Sequence, residues 1–460
     1  MKRKPVALTI SLALAACSLL PFAARPQAVP ANEVLPPIDF LRAYELALEA
    51  DPTWLAAQAR QRADAQERAI ARASLRPSLS YSYDRARNWS DITQGGVTNE
   101  ASYDSYSSSF TLSQSLFNAA AGARYRSGVA LGEAGEATGQ RARQALAVRV
   151  LQAYSDLLYA LDDLQLAEAQ VTALDEDLRR VERFVTLGEG TRTDRAEVEA
   201  QQHIAEARTL EAQDRLRSAR NGLRMLTGIV PGAPATLDTS CLPVLAGPAE
   251  PLDFWREQFV SHNPELAAQR SMVTAAEAQV DQQRAGGLPT VAVFARHRTS
   301  DSEGENMIGQ HYRTQTVGVQ LRMPLYSGGG VSAATSQARS TLDEARHKLA
   351  AATYELSEDL EKQYNLVAMS PRRIDAYARA ADAAAGRLEA TRRSILGGER
   401  TNLDALDAER QRLETLRDLS RARYDYLLGW LSLRWQAGTL DDADVTRVGT
   451  CFHSHPQETQ

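Results

Sequence analysis

The chain contains two pairs of short segments in which apolar residues alternate with polar ones. In the first pair, five apolar positions each lie next to a serine or threonine: Leu79, Tyr81, Tyr83, Phe110 and Leu112. The second pair repeats this alternation around Val293 and Val319. A period of two is typical of a β-strand whose two faces meet unlike surroundings. We therefore predict one β-hairpin over residues 78–117 and a second over residues 290–325.

A long stretch with helical character follows each hairpin. No proline occurs between Pro77 and Pro231, and glycine-containing turns are the first breaks in the pattern. We predict long helices over residues 119–187 and 330–396, and at 1.5 Å per residue each would extend about 100 Å. After each turn the chain returns through a further predicted helix, residues 193–227 and 402–437. Pro371 lies inside the second long helix and should kink it.

This order of elements is written twice. Asp51-Pro52 recurs as Asn263-Pro264, Gly228 recurs as Gly438, and Cys241 recurs as Cys451, each about 210 residues further on. Self-similarity at a fixed interval indicates a duplicated structural unit. We predict two repeats, residues 38–245 and 252–451, each with a helix, a hairpin, a long helix and a returning helix. Residues 452–460 are predicted to form a loose C-terminal tail.

The N-terminus has the features of an export signal. Met1 to Lys4 is basic, residues 6–24 are apolar and uncharged, and cleavage after Ala28 would remove residues 1–28. Lipidation at Cys17 is the alternative. Either event takes the mature chain out of the cytoplasm and into an oxidising compartment. Two thiols often pair in such a compartment. Cys241 and Cys451 are therefore a candidate disulfide, and two isolated buried cysteines are the alternative.

Composition and motifs exclude several classes of protein. The 460 residues carry a net charge of −6, which argues against a dedicated nucleic-acid-binding protein with a basic face. Only the N-terminal stretch is apolar over a membrane-spanning length, which excludes a polytopic helical membrane protein. We find no nucleophile elbow, phosphate-binding loop or zinc-protease motif, and we expect no catalytic residue, no metal and no cofactor. The one cluster of ligand-type residues is Cys451, His453 and His455.

The two-faced hairpins could pack onto a helix in a soluble α+β domain, or they could form the wall of an outer-membrane barrel. The adjoining helices are too long to fold back compactly, which favours the barrel. Four strands cannot close a barrel, since about eight is the minimum, and open strand edges are not tolerated in lipid. Several chains would then have to share one barrel. The sequence alone does not fix their number.

Four sequence motifs occur at repeat spacing, and together they resemble one family, the TolC-type outer-membrane channel proteins. The motifs are the segments 113–118, 225–228, 324–329 and 398–408. The resemblance covers nearly the whole mature chain. It implies a mostly α-helical homotrimer with four β-strands per chain, a twelve-stranded outer-membrane barrel and a long α-helical barrel continuing from it. The polar middles of the hairpins, residues 88–105 and 298–313, would be extracellular loops.

The resemblance also implies roles for particular residues. Facing lipid would be Tyr81, Tyr83, Phe110, Leu112, Val317, Val319 and Leu321. Asp404 and Asp407 match the aspartates that narrow the pore at the helical tip, where three copies would raise the carboxylate pKa values and attract cations. Two solvated acids at a helix N-terminus are the alternative.

The gate at the tip would depend on Arg400, which matches an arginine that latches the closed tip. Its partners there would be Thr193 and Asp194. Ile395 stands where the family has a second, tyrosine latch, so the latching would rest on Arg400 alone.

The function implied is a passive exit duct of a tripartite export system that serves type I protein secretion, multidrug efflux or both. Its partners would be a periplasmic adaptor protein, an inner-membrane ABC or proton-driven transporter, and outer-membrane lipid. A periplasmic coiled-coil adaptor or scaffold without a pore is the alternative. That alternative explains the alanine-rich helices but not the duplicated hairpins.

Overall fold

The computed structural model describes residues 37–453 except 189, 243–244, 246–247, 249, 302–308 and 398. The predicted signal segment 1–28, Cys17 and residues 454–460 therefore lie outside the described residues. None of the helices within this range is both long enough and apolar enough to cross a membrane.

Ten α-helices make up most of the described chain. Those of the first half are α1 (Phe40–Ala50), α2 (Pro52–Asp64), α3 (Glu67–Ala73), α4 (Ala119–Leu187) and α5 (Arg192–Thr227). Those of the second half are α6 (Leu252–His262), α7 (Pro264–Arg284), α8 (Gly330–Leu396), α9 (Asn402–Ala437) and α10 (Asp442–Gly449). The segment after Pro52, expected to be one helix, is split at Ala65 and Gln66 into α2 and α3.

Local signals explain where several helices begin and end. Asp51 caps α2 by accepting a bond from the Trp54 amide at 3.0 Å, and Asn263 caps α7 from the equivalent position. Helix α4 ends at Gly188, whose φ of 80° is in the left-handed region that favours glycine. Helix α8 continues through Pro371 without ending, and the Ser370 hydroxyl donates to the Leu366 carbonyl at 2.7 Å.

In the part of the chain that the structure describes, six strands form two sheets. The strands are β1 (Ser78–Gln94), β2 (Val97–Phe117), β3 (Thr236–Leu237), β4 (Thr290–Asp301), β5 (His311–Arg322) and β6 (Phe452–His453). The larger sheet is antiparallel with the order β1-β2-β4-β5, and β3 pairs with β6. Phe452 and His453 are thus part of a strand, and their assignment to a loose tail was wrong.

The assignment of residues 88–105 to a loop was also wrong, because these residues are paired strand apart from a two-residue turn. Gly95 and Gly96 form that turn with φ of 62° and 85°, as the tightest hairpin turns require. Cross-strand side-chain bonds support the pairing, including Asn88 Nδ2 to Ser105 Oγ at 2.9 Å. Strand β4 likewise continues to Asp301 and β5 begins at His311, so the second predicted loop is shorter than expected.

The core lies in the middle of the helical part. Tyr154 of α4 is fully buried there, and its ring contacts those of Phe40 and Phe452 with centroids 6.3 and 5.0 Å away. Its hydroxyl lies 3.0 Å from the carbonyl oxygens of Ile38 and Ala235. This one side chain therefore joins α4 to segments from both ends of the chain.

A disulfide lies beside this core. It joins Cys241 to Cys451, whose Cα atoms are 5.5 Å apart, next to the β3–β6 pair. Because Cys451 is bonded to Cys241, its sulfur is not free to serve as a metal ligand in the cluster of Cys451, His453 and His455. His455 itself lies outside the described residues. The disulfide connects the ends of the two halves across 210 residues of sequence.

Candidate functional site

The larger sheet has one apolar face. Leu79 lies opposite Leu112, Tyr81 opposite Phe110 with ring centroids 4.7 Å apart, and Val293 opposite Val319. We call this side the apolar face; it also includes Tyr83, Ala295, Val317 and Leu321. All seven residues predicted to face lipid lie on it, and within one chain each is about half exposed or more. A soluble chain would rarely leave so many large side chains uncovered together.

The other side of the sheet is polar. We call it the serine face; it includes Ser78, Ser80, Ser82, Ser109, Thr111, Ser113, Thr314 and Thr316. The hydroxyls of Ser82 and Ser109 lie 2.9 Å apart across the strands. A surface of small hydroxyl side chains is suited to contact with water. The sheet therefore separates an apolar environment from an aqueous one.

The outer edges of this sheet are unpaired within the described chain. Strand β1 has 17 residues and strand β5 has 12, and each has only one neighbour in the sheet. An unpaired edge is a template for pairing with another chain, and it is not tolerated in lipid. A single chain therefore leaves both edges of the sheet available for pairing with other chains.

The opposite end of the molecule consists of two similar helix reversals. The side chain of Asp194 accepts from the Thr191 amide while the Thr191 side chain accepts from the Asp194 amide, both at 3.1 Å. Thr401 and Asp404 form the same reciprocal cap at the start of α9, at 3.0 and 3.4 Å. This capping box satisfies backbone donors that the first helical turn leaves unpaired. The duplicated Thr-x-x-Asp signal accounts for both.

Asp404 and Asp407, the predicted pore aspartates, each have a partner in their own chain. Hydrogen bonds from the Thr401 amide and hydroxyl hold the pKa of Asp404 below its ordinary value, and Arg400 adds a smaller effect in the same direction. Asp407 pairs with Arg410 at 3.1 Å. In one chain, Asp404 thus acts as a helix-capping acid, and a ring of aspartates could form only from several copies.

The predicted latch residues are not joined within one chain. Arg400 pairs with Asp404 at 3.4 Å, and Asp194 is held by the Thr191 amide. No bond links Arg400 to Thr193 or Asp194 in the part of this chain that the structure describes. Any latch between these residues would therefore have to form between neighbouring copies.

A buried ion cluster that the sequence did not reveal joins three helices above this tip. Asp163 of α4 is 5% exposed and accepts bonds from Arg215 of α5 and Arg417 of α9, each with a contact at 2.6 Å. Beside it, Asp162 accepts from the Tyr424 hydroxyl at 3.0 Å, and burial raises the pKa of this carboxyl. The partners of Asp163 lie 52 and 254 residues away, so no local motif could have identified them.

Comparison with known proteins places this geometry in a family. The model of the family described as "Outer membrane efflux protein" matches residues 43–229 and again residues 255–439. The alkaline protease secretion protein AprF of Pseudomonas aeruginosa is 39% identical, over 91% of this chain and 88% of its own length. The proteases secretion protein PrtF of Dickeya chrysanthemi is 38% identical, over 99% and 96%. Outer membrane proteins named TolC are also relatives.

A solved structure shows the same fold. The outer membrane protein VceC of Vibrio cholerae superposes with a TM-score of 0.74 at 19% identity, covering 87% of this chain and 96% of its own. At this identity the likeness concerns the fold alone.

Proposed function

The chain belongs to the outer membrane efflux protein family, and on that premise we propose how it works as an export channel. It is a TolC-type outer-membrane exit duct for secretion and efflux. It lies in the outer membrane, and its helical part is in the periplasm. One observation carries the proposal, namely a sheet with an exposed apolar face and two open edges at the end of helices far longer than a compact domain needs.

We infer that three chains assemble into one barrel. Pairing β5 of one copy with β1 of the next would leave no edge open, and three copies of four strands would give twelve. The apolar face would then contact lipid and the serine face would line the lumen, as in other outer-membrane barrels. The two successive matches to one family model support the proposed internal repeat.

The relatives named as protease secretion proteins favour a secreted protein as the cargo. We infer a tripartite system with a periplasmic adaptor protein and an inner-membrane ABC transporter, and a proton-driven pump would indicate efflux instead. The chain itself would be a conduit and not an enzyme. The alternative of a periplasmic adaptor or scaffold without a pore has no support from the family match.

At the tip, we infer that Asp404 and Asp407 of three copies narrow the pore. Arg400 of one copy would bond to Thr193 and Asp194 of its neighbour when the tip is closed. When Arg400 takes part in the latch, Asp404 would keep its bonds from the Thr401 amide and hydroxyl, and Asp407 would keep Arg410 as its partner.

Envelope fractionation followed by planar-bilayer recording tests the proposal. The full-length protein should appear in the outer-membrane fraction as an oligomer that resists detergent without heating, and it should form conducting channels. A soluble periplasmic monomer without conductance would contradict it.

A further inference from the structure

The serine face carries Arg296 and Arg322 at levels where the neighbouring residues of the apolar face include no arginine or lysine. Register places Arg296 opposite Thr111 on one side and Thr316 on the other. Arg298 lies two residues further along the same strand, and Arg322 lies opposite Thr290 at the base of the sheet. Across the described positions of the four strands, Asp84 is the one acidic residue on this face.

The side that these arginines face follows from their level in the sheet. On the apolar face, the residues on either side of the Arg296 level include no arginine, lysine or acidic residue; they are Leu79, Leu112, Ala295 and Val317 on one side and Tyr81, Phe110, His297 and Gln315 on the other. A charged side chain in the lipid-facing band is strongly unfavourable at this depth. Given the proposed barrel, Arg296 must therefore point into the water-filled lumen.

Neither Arg296 nor Arg322 has a carboxylate partner among the residues that the structure describes. Arg296 donates from Nε to the neutral hydroxyl of Thr111 at 3.3 Å. Both arginine residues are exposed in the single chain. Their charges are therefore not cancelled locally, unlike those of Arg400 and Arg410 at the helical tip, which pair with aspartates.

The size of the barrel makes these charges effective across the whole lumen. Twelve tilted strands about 4.8 Å apart would give a radius of about 12 Å to the backbone. The Debye length is about 10 Å at 0.1 M salt, so the field of the arginines would reach the axis. Charge of one sign in a narrow aqueous passage concentrates ions of the opposite sign.

We propose that Arg296 and Arg322 make the barrel section an anion-favouring segment that selects for an acidic polypeptide as cargo. This inference rests on the proposed function, because it requires a closed lumen. Among the described strand positions, three copies would place three Arg296, three Arg322 and three Asp84 side chains on the lumen wall. The barrel would then oppose the aspartate ring at the far end of the duct, so a cargo chain with excess negative charge would gain affinity as it reaches the exit.

Reversal potentials of single channels in a potassium chloride gradient test this assignment. Both variants are compared in a parent protein that carries Asp404→Asn and Asp407→Asn, so that the tip no longer selects for cations. Asparagine at position 404 can still accept the hydrogen bond from the Thr401 amide. In that parent, Arg296→Gln with Arg322→Gln should lower the ratio of chloride to potassium permeability severalfold at low salt. Arg85→Gln is the matched control, because Arg85 lies on the apolar face beyond Tyr83, and it should leave the ratio unchanged.

The outcomes separate the two proposals. If the wild-type protein forms no channels, the proposed function fails. If channels form and the double glutamine variant keeps the parent's permeability ratio, the barrel assignment is overturned. A second measurement needs no barrel variant: oligoglutamate added on the barrel side of the parent should block current at lower concentration than oligolysine of equal length. The reverse order would overturn the assignment.

Discussion

Replacing Asp163 with asparagine should destabilise the helical part, because this carboxylate makes the shortest ion-pair contact of two arginines on different helices: Arg417, and Arg215, whose other acidic neighbour Glu211 is 3.9 Å away. Asp163 is 5% exposed, and it accepts from Arg215 through one oxygen and from Arg417 through the other. Breaking a buried ion pair typically costs about 3–5 kcal/mol, because the remaining charge is left without a partner.

The expected cost here is smaller than that range. Arg215 is 52% exposed and can be solvated again, whereas Arg417 is only 19% exposed and cannot be solvated as fully. Asparagine keeps one acceptor oxygen for one of the two arginines. We therefore expect a loss of about 2–3 kcal/mol in the free energy of unfolding.

Thermal unfolding of the detergent-solubilised protein, followed by far-UV circular dichroism, measures this effect. The matched control is Asp375→Asn, which breaks an exposed pair with Arg379 within one helix and should cost about 0.5 kcal/mol or less. The Asp163 variant should melt several degrees below the wild type and the control should not. Equal melting of both variants would refute the reasoning that the Asp163 cluster holds the three helices together.

Three further predictions concern the gate, the packing and the disulfide. Arg400→Ser should raise single-channel conductance in planar bilayers, and an unchanged conductance would eliminate the latch. Gly128→Ala should destabilise the protein by roughly 1–3 kcal/mol, because its Cβ would lie 2.5 Å from Ala71 Cβ and 2.8 Å from the Glu67 carbonyl oxygen. A Cβ added at Gly122 has no neighbour within 4 Å, so Gly122→Ala should stabilise α4 by about 0.5–1 kcal/mol. If both alanine variants shift the melting temperature in the same direction, the close contact of Gly128 with α3 is contradicted. Cys241→Ser should lower the free energy of unfolding by about 2–5 kcal/mol, and chemical reduction of the wild type should reproduce that loss in a denaturant titration.

Helix ends were the part of the fold that the sequence specified most fully. The signals are local: prolines follow Asp51 and Asn263 in the first turns of α2 and α7, and Gly188 takes the left-handed conformation at the end of α4. The break between α2 and α3 has no such signal, since the residues there are ordinary helix formers.

The length of the strands was underestimated because loop composition and strand composition overlap in this chain. Residues 88–105 are rich in asparagine, serine, aspartate and glycine, which are typical of loops. In the structure, however, they are paired on either side of Gly95 and Gly96. Polar strands that need no buried face leave no hydrophobic alternation to detect.

The contacts of the candidate site could be predicted from the sequence only where they join residues close together in the chain. The Thr401 and Asp404 cap is a three-residue spacing that can be read directly. The Asp163 cluster depends on residues far apart in sequence, and the relation between Arg400 and Asp194 depends on copies of the chain that one sequence does not describe.

The claim that several chains share one closed barrel is tested most directly by cross-linking β1 of one copy to β5 of another. Ser80→Cys would be combined in turn with Thr314→Cys, Thr316→Cys and Gly318→Cys, all on the serine face, in outer membranes treated with a mild oxidant. Non-reducing gels of heated samples should show a covalent trimer for at least one combination, and none for the single-cysteine controls. A product that stays monomeric in every combination, in membranes where the protein conducts, would contradict the shared barrel.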